Sequence, residues 1–156
     1  FSSVSSDVVV EKLNEIIDVI HELGGIAGIH CCGNADWPLL FGSRVDIVNF
    51  DAFGYMDKVL LYPEDIAKFL GRGGALAWGI VPTGALTGSE TADQLIAKLD
   101  AGMSRLHDRG ISRDILLRQC LLTPSCGMGS LTPDAAEAIL RLLRAVSDRM
   151  QERIQS

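Results

Sequence analysis

The sequence predicts an α/β chain of parallel β-then-α units with about four strands, and three observations carry that prediction. Short apolar runs bounded by turn residues (IAGIH, VDIVNFD, ALAWGIV, ILLRQCLLT) alternate with longer segments of helical apolar spacing. Those runs are continuously apolar, as strands of a helix-covered parallel sheet are, and the stretches between them are long enough for crossovers. The 156 residues, 47% hydrophobic and 22% charged, suffice for one domain with a substantial core.

Taken in order, Ser6 and Asp7 precede a segment in which Val10, Leu13, Ile16, Ile17, Ile20 and Leu23 recur at helical spacing, and Gly24 and Gly25 close it. IAGIH is too short for a helix and reads as a buried strand. Residues 36 to 41 suit a helical turn, and residues 45 to 51, with their β-branched side chains, a second strand. Tyr62-Pro63-Glu64-Asp65 opens a helix, with proline at its first position and acids in its first turn. ALAWGIV, residues 75 to 81, is the third strand. The loop PTGALTGSE then leads to a helix from about Thr91, whose Thr-x-x-Gln pattern is a capping box. The fourth strand is expected within ILLRQCLLT. Thr132-Pro133-Asp134 starts a last helix carrying Ile139, Leu142, Leu143 and Val146.

Two architectures suit this alternation: an open doubly wound sheet, or part of a (β/α) barrel. No Gly-x-Gly-x-x-Gly follows a strand, no Walker-type loop occurs, and GRGG at 71 to 74 precedes a strand rather than following one. The nucleotide-binding versions of the fold therefore lose support. A whole barrel needs eight strands, so four make half of one.

The formal net charge of -6, with scattered basic residues, argues against nonspecific binding to nucleic acid or an anionic membrane. No apolar run reaches membrane-spanning length, and FSSVSSDVVVEK lacks the features of a signal peptide, so a cytoplasmic protein is the expectation. The chain begins at Phe1 rather than Met, which suggests a processed product or a piece of something longer. Disulfides among Cys31, Cys32, Cys120 and Cys126 are not expected, because neighbouring cysteines bridge poorly and an apolar core needs no staples.

In parallel α/β folds, functional groups gather where strands end. His30 and Cys32 end the first strand, Asn49 and Asp51 the second, and Ser125 and Cys126 follow the fourth, so one rim collects them all. Imidazole, two thiols and a carboxylate suit zinc. Along an extended His-x-Cys segment alternate side chains share a face, which pairs His30 with Cys32 and turns Cys31 the other way. The plainer reading stays open, since a histidine or cysteine in an apolar run is commonly just packed. Cys120 reads as core, and His21 and His107 as surface or packing residues of helices.

GIHCCGN, VDIVNFDAF and LLTPSCGMGSL, in that order and at the ends of the first, second and fourth strands, resemble the catalytic barrel of cobalamin-independent methionine synthase. Its relatives are the corrinoid-dependent thiol methyltransferases and, more remotely, the uroporphyrinogen decarboxylase-like barrels. The resemblance covers most of the chain but only the second-half elements of the family barrel. It implies the C-terminal half of a TIM-type (β/α)8 barrel, residues 1–156 forming one partial domain whose missing N-terminal half, or self-association, covers the open edges. It also implies a zinc ion held by His30, Cys32, Asp51 and Cys126, with Asp51 standing where methionine synthase has glutamate. The implied reaction is thiol S-methylation, as in methionine biosynthesis: zinc favours the thiolate of homocysteine or a similar substrate, which attacks a methyl donor.

Methionine synthase carries a histidine, associated with folate as leaving group, in the loop corresponding to WGIVPTGALTG, which has none. That favours methylcorrinoid, with a corrinoid protein as partner, over methyltetrahydrofolate. Asn34 and Thr83 are the candidate substrate contacts. The rival readings are an inactive or structural domain of the same fold, a metal-free decarboxylase-like barrel, and a redox protein using Cys31 and Cys32.

Overall fold

The computed structural model describes residues 5–84 and 88–155. Its elements are α1 (Ser6–Glu22), β1 (Gly28–Cys31), α2 (Trp37–Gly42), β2 (Ile47–Phe50), α3 (Met56–Val59), α4 (Pro63–Gly71), β3 (Ala75–Val81), α5 (Ala92–His107), α6 (Arg113–Arg118), β4 (Cys120–Pro124) and α7 (Pro133–Gln155). All three strand pairings are parallel, and the strands lie in sequence order, β1-β2-β3-β4. The described sheet therefore has no reversal of strand order, which a doubly wound sheet requires.

The local signals act where the chemistry places them. Thr91 accepts the Gln94 N–H while the Gln94 side chain accepts the Thr91 N–H, so the capping box at the start of α5 is complete. The Thr132 hydroxyl accepts the Ala135 N–H at the start of α7. Asp36 does the same for Leu39 at α2.

The fourth strand does fall near ILLRQCLLT, but it fills only part of that stretch. ILLRQCLLT is not a single strand, because Arg113 to Arg118 form the short helix α6 and only residues from Cys120 onward join the sheet. The Gln119 side chain marks the change, donating to the carbonyls of Leu70 and Gly74 at 2.9 and 2.6 Å. The sequence reading also passed over the single turn α3. The first two strands are shorter than expected, and β1 starts two residues later. Residues 85–87, in the loop after β3, lie outside the described residues.

The two faces of the sheet differ. In register, Cys31, Phe50, Trp78 and Leu122 lie side by side, as do Ile29, Val48, Leu76 and Cys120, and this face packs against the helices. Trp78 and Phe50 are fully buried with ring centroids 5.1 Å apart, and Trp37 of α2 meets Phe50 edge-on at 6.2 Å. The other face carries Gly28, His30, Ile47, Asn49, Leu121 and Thr123, wholly or partly exposed, and on β3 the buried Ala77 and Gly79. β1 and β4 each pair on one side only among the described residues, so both sheet edges are open. Ile16, Val19 and Leu23 of α1 are exposed, as is Ile26 just ahead of β1. The apolar stripe read from the sequence is thus wider than the face α1 buries here, where Ile17 is the buried residue. No described helix is long and apolar enough to cross a membrane.

α1 is fastened to the sheet through Asp46, whose Oδ2 accepts both the Ala27 N–H and His21 Nε2–H, each at 2.7 Å. Burial opposes ionisation of Asp46, but these hydrogen bonds and the positive charges of His21 and Arg72 outweigh it, so the carboxyl titrates below its ordinary value. A depressed carboxyl adds stability that is present above its unfolded pKa and lost as pH falls through its folded one. Acid unfolding should show this. Wild type should exceed Asp46→Asn in stability at pH 6, and the two should converge below about pH 4, the ordinary carboxylate range.

Candidate metal centre

β1, the residue that follows it and the turn after β4 bring three side chains together. The ligand atoms of His30, Cys32 and Cys126 all lie within 4.8 Å of one another, and all three residues are exposed. That spacing suits tetrahedral donors around one small cation, whose ligands stand about 2.0–2.3 Å from it. The group could hold a metal ion, and no other His, Cys, Asp or Glu among the described residues joins it. Three protein donors at an exposed site would leave one position of a tetrahedral cation open.

Each donor is positioned by its element. His30 and Cys32 lie two residues apart on one side of the extended β1 segment, while Cys31 points to the other side and packs against the core. The parallel register sets His30 beside Asn49, and His30 Nδ1 meets Asn49 Oδ1 at 2.5 Å. Cys126 sits in the turn after β4. There Ser125, itself buried, donates its N–H to Val81 O at 2.8 Å and accepts the Thr83 N–H on Oγ at 3.1 Å. The hydroxyls of Thr83 and Ser125 are also 3.1 Å apart.

Gly79 lets this turn come close. A Cβ there would stand 2.6 Å from Phe50 O, 2.8 Å from Ser125 Cα and 3.0 Å from Pro124 O. All three are backbone atoms, which cannot swing away. The β3–β4 register also shifts between Gly79 and Val81, carrying the chain over to the Ser125 turn.

The two thiols influence each other. The hydrogen bond with Cys126, its negative charge and slight burial push the Cys32 thiol above its ordinary value. Two thiolates this close repel, and a cation between them is what would stabilise both. The donor set therefore fits a thiophilic divalent ion such as zinc. Cys120 is different, because burial alone pushes its thiol up to about 12, and it packs against the core as the sequence suggested.

Of the four expected ligands, Asp51 lies outside the group. Its Oδ1 accepts the Gly54 N–H at 2.7 Å and its carbonyl accepts the Tyr55 N–H at 2.9 Å, so it closes the turn after β2. Asn34 is exposed and its side chain makes no hydrogen bond among the described residues. Thr83 clamps the Ser125 turn and thereby helps to place Cys126. Sequence reasoning placed Asn49 on the rim without linking it to His30, and passed over Gly79 and Thr123. The one available signal was a polar Asn within the apolar strand IVNF. His21 bonds Asp46, and His107 bonds Ile111 O beyond the end of α5 at 3.1 Å, so neither belongs to the centre.

No known family model and no curated protein matches this chain.

Proposed function

We propose that the chain is the zinc-bearing half of a (β/α) barrel of the methionine synthase type and that it serves thiol S-methylation. The observation that carries this reading is the meeting of His30, Cys32 and Cys126 from segments almost a hundred residues apart, at one end of a sequentially ordered parallel sheet. Bound there, zinc would lower the pKa of an incoming thiol, so that the thiolate forms at neutral pH. The chain's own residues supply the rest. His30, Cys32 and Cys126 hold the cation, while Thr83 and Ser125 fix the turn that presents Cys126. The exposure of all three donors leaves room for a small thiol such as homocysteine.

The barrel reading also accounts for the uneven sheet. In a barrel the face carrying Ile47, Asn49, Leu121 and Thr123 turns inward, and the β1 and β4 edges pair with further strands. Methyl transfer then needs a complementary half, from a longer form of the chain or from another copy, and a donor such as a methylcorrinoid protein or methyltetrahydrofolate. The zinc-loaded protein, assayed in its full-length form with homocysteine and either donor, should yield the S-methyl product. Cys126→Ser should abolish the product. Turnover that is indifferent to Cys126→Ser would overturn the reading.

A further inference from the structure

Asn49 makes more of its carboxamide than a strand residue needs. Its Nδ2 donates to Ala77 O and to Thr123 Oγ1, each at 2.8 Å, and its Oδ1 faces His30 Nδ1 at 2.5 Å. His30 belongs to β1, Asn49 to β2, Ala77 to β3 and Thr123 to β4, so a single amide ties all four strands together on the face away from the helices.

The chemistry of the partners fixes the amide's orientation. Ala77 O is a backbone carbonyl and can only accept, so the atom facing it must be the NH2 group. That leaves the amide oxygen, which carries no proton, against His30. The ring nitrogen there must donate.

We infer that Asn49 is a positioning residue for the metal centre, holding neutral His30 in the tautomer with its proton on Nδ1, so that Nε2 is the nitrogen offered to the cation. The inference rests on the zinc reading only for its last clause, because the tautomer itself follows from hydrogen bonds that need no metal. Free neutral imidazole side chains prefer the opposite tautomer, with the proton on Nε2, which would block the ligand lone pair. Asn49 thus spares metal binding the work of selecting a minor tautomer and a ring orientation. Hydrogen-bond partners of metal-ligating histidines commonly act in this way, and their loss costs about 10- to 100-fold in metal affinity.

Nitrogen-15 NMR of histidine-labelled, metal-free protein, at a pH where the ring is neutral, tests the assignment directly; His30→Gln identifies the His30 signals. Wild type should show Nδ1 protonated and Nε2 bare. Asn49→Leu should lose that fixed pattern and bind zinc, measured by competition with a chelating dye, about 10- to 100-fold more weakly. Asn49→Asp keeps an acceptor for His30 and should keep the tautomer even where the fold weakens. Thr123→Val removes a bond on the far side of the amide and should lower stability without moving the tautomer, which separates positioning from a merely structural role. A wild-type His30 protonated on Nε2 overturns the inference even if Asn49→Leu fails to fold. So does a tautomer that Asn49→Leu leaves unchanged. If the tautomer responds as expected but wild type binds no zinc, the tautomer assignment stands and the zinc reading fails.

Discussion

Gly79→Val is expected to destabilise the fold by about 3 kcal/mol, the upper range for forcing extra methyl groups into a packed interior. The site explains the size of the effect. Already the first added carbon would stand 2.6–3.0 Å from Phe50 O, Ser125 Cα and Pro124 O, and relief requires moving β2 or the turn after β4 rather than a flexible side chain. Gly79 O also accepts the Phe53 N–H at 3.1 Å, so displacing β3 loosens the turn after β2 as well. In a chain of this length each kcal/mol lowers Tm by roughly 2–4 °C, so thermal unfolding should show a fall on the order of 10 °C. Because Ser125 immediately precedes Cys126, surviving folded protein should also bind zinc more weakly. A Tm within a degree or two of wild type would mean that the close approach at Gly79 is not part of the folded state.

Cys126→Ser is expected to weaken zinc binding by more than the roughly 100-fold that losing a ligand's hydrogen-bond partner costs, because it removes a donor outright. It should do so with little change in stability, since Cys126 is exposed. Cys32→Ser should behave in the same way. Cys31→Ser should spare the metal, because that side chain packs against the core instead. Asp51→Ala should also spare it while loosening the 51–54 turn. The thiols set the pH dependence. Cys32 is held above its ordinary value beside Cys126, so binding must release thiol protons, and affinity should rise as pH rises through neutrality. Competition titrations at several pH values check each of these outcomes. Unchanged affinity in Cys126→Ser would remove it from the ligand set.

Periodicity and turn chemistry made most of the fold legible. β3 was readable to the residue because six hydrophobic residues and Gly79, with no polar side chain among them, stand between Gly74 and Pro82, and the start of α5 because Thr91 and Gln94 form a box that only a helix start satisfies. The strand ILLRQCLLT misled because a buried helix turn and a buried strand are equally apolar over four or five residues. What separates them is the Gln119 amide reaching Leu70 O and Gly74 O, a contact between residues more than 40 positions apart.

The site was legible in part for the same reason. Strand alternation separates Cys32 from Cys31 without any structure, whereas Asp51 and Asn49 are both polar residues at the end of β2, and composition does not say which of them meets His30. Register decides it: Asn49 lies opposite His30, while Asp51 lies one position beyond the last paired residue and turns back onto Gly54.

X-ray absorption at the zinc edge reads the donor set of the bound ion itself. The zinc-loaded protein should show two sulfurs at about 2.3 Å and one imidazole nitrogen at about 2.0–2.1 Å, with a light atom or an added thiol's sulfur in the remaining position. A shell of oxygen and nitrogen alone, or a protein that retains no zinc after dialysis, would contradict the assignment of His30, Cys32 and Cys126 as one metal centre.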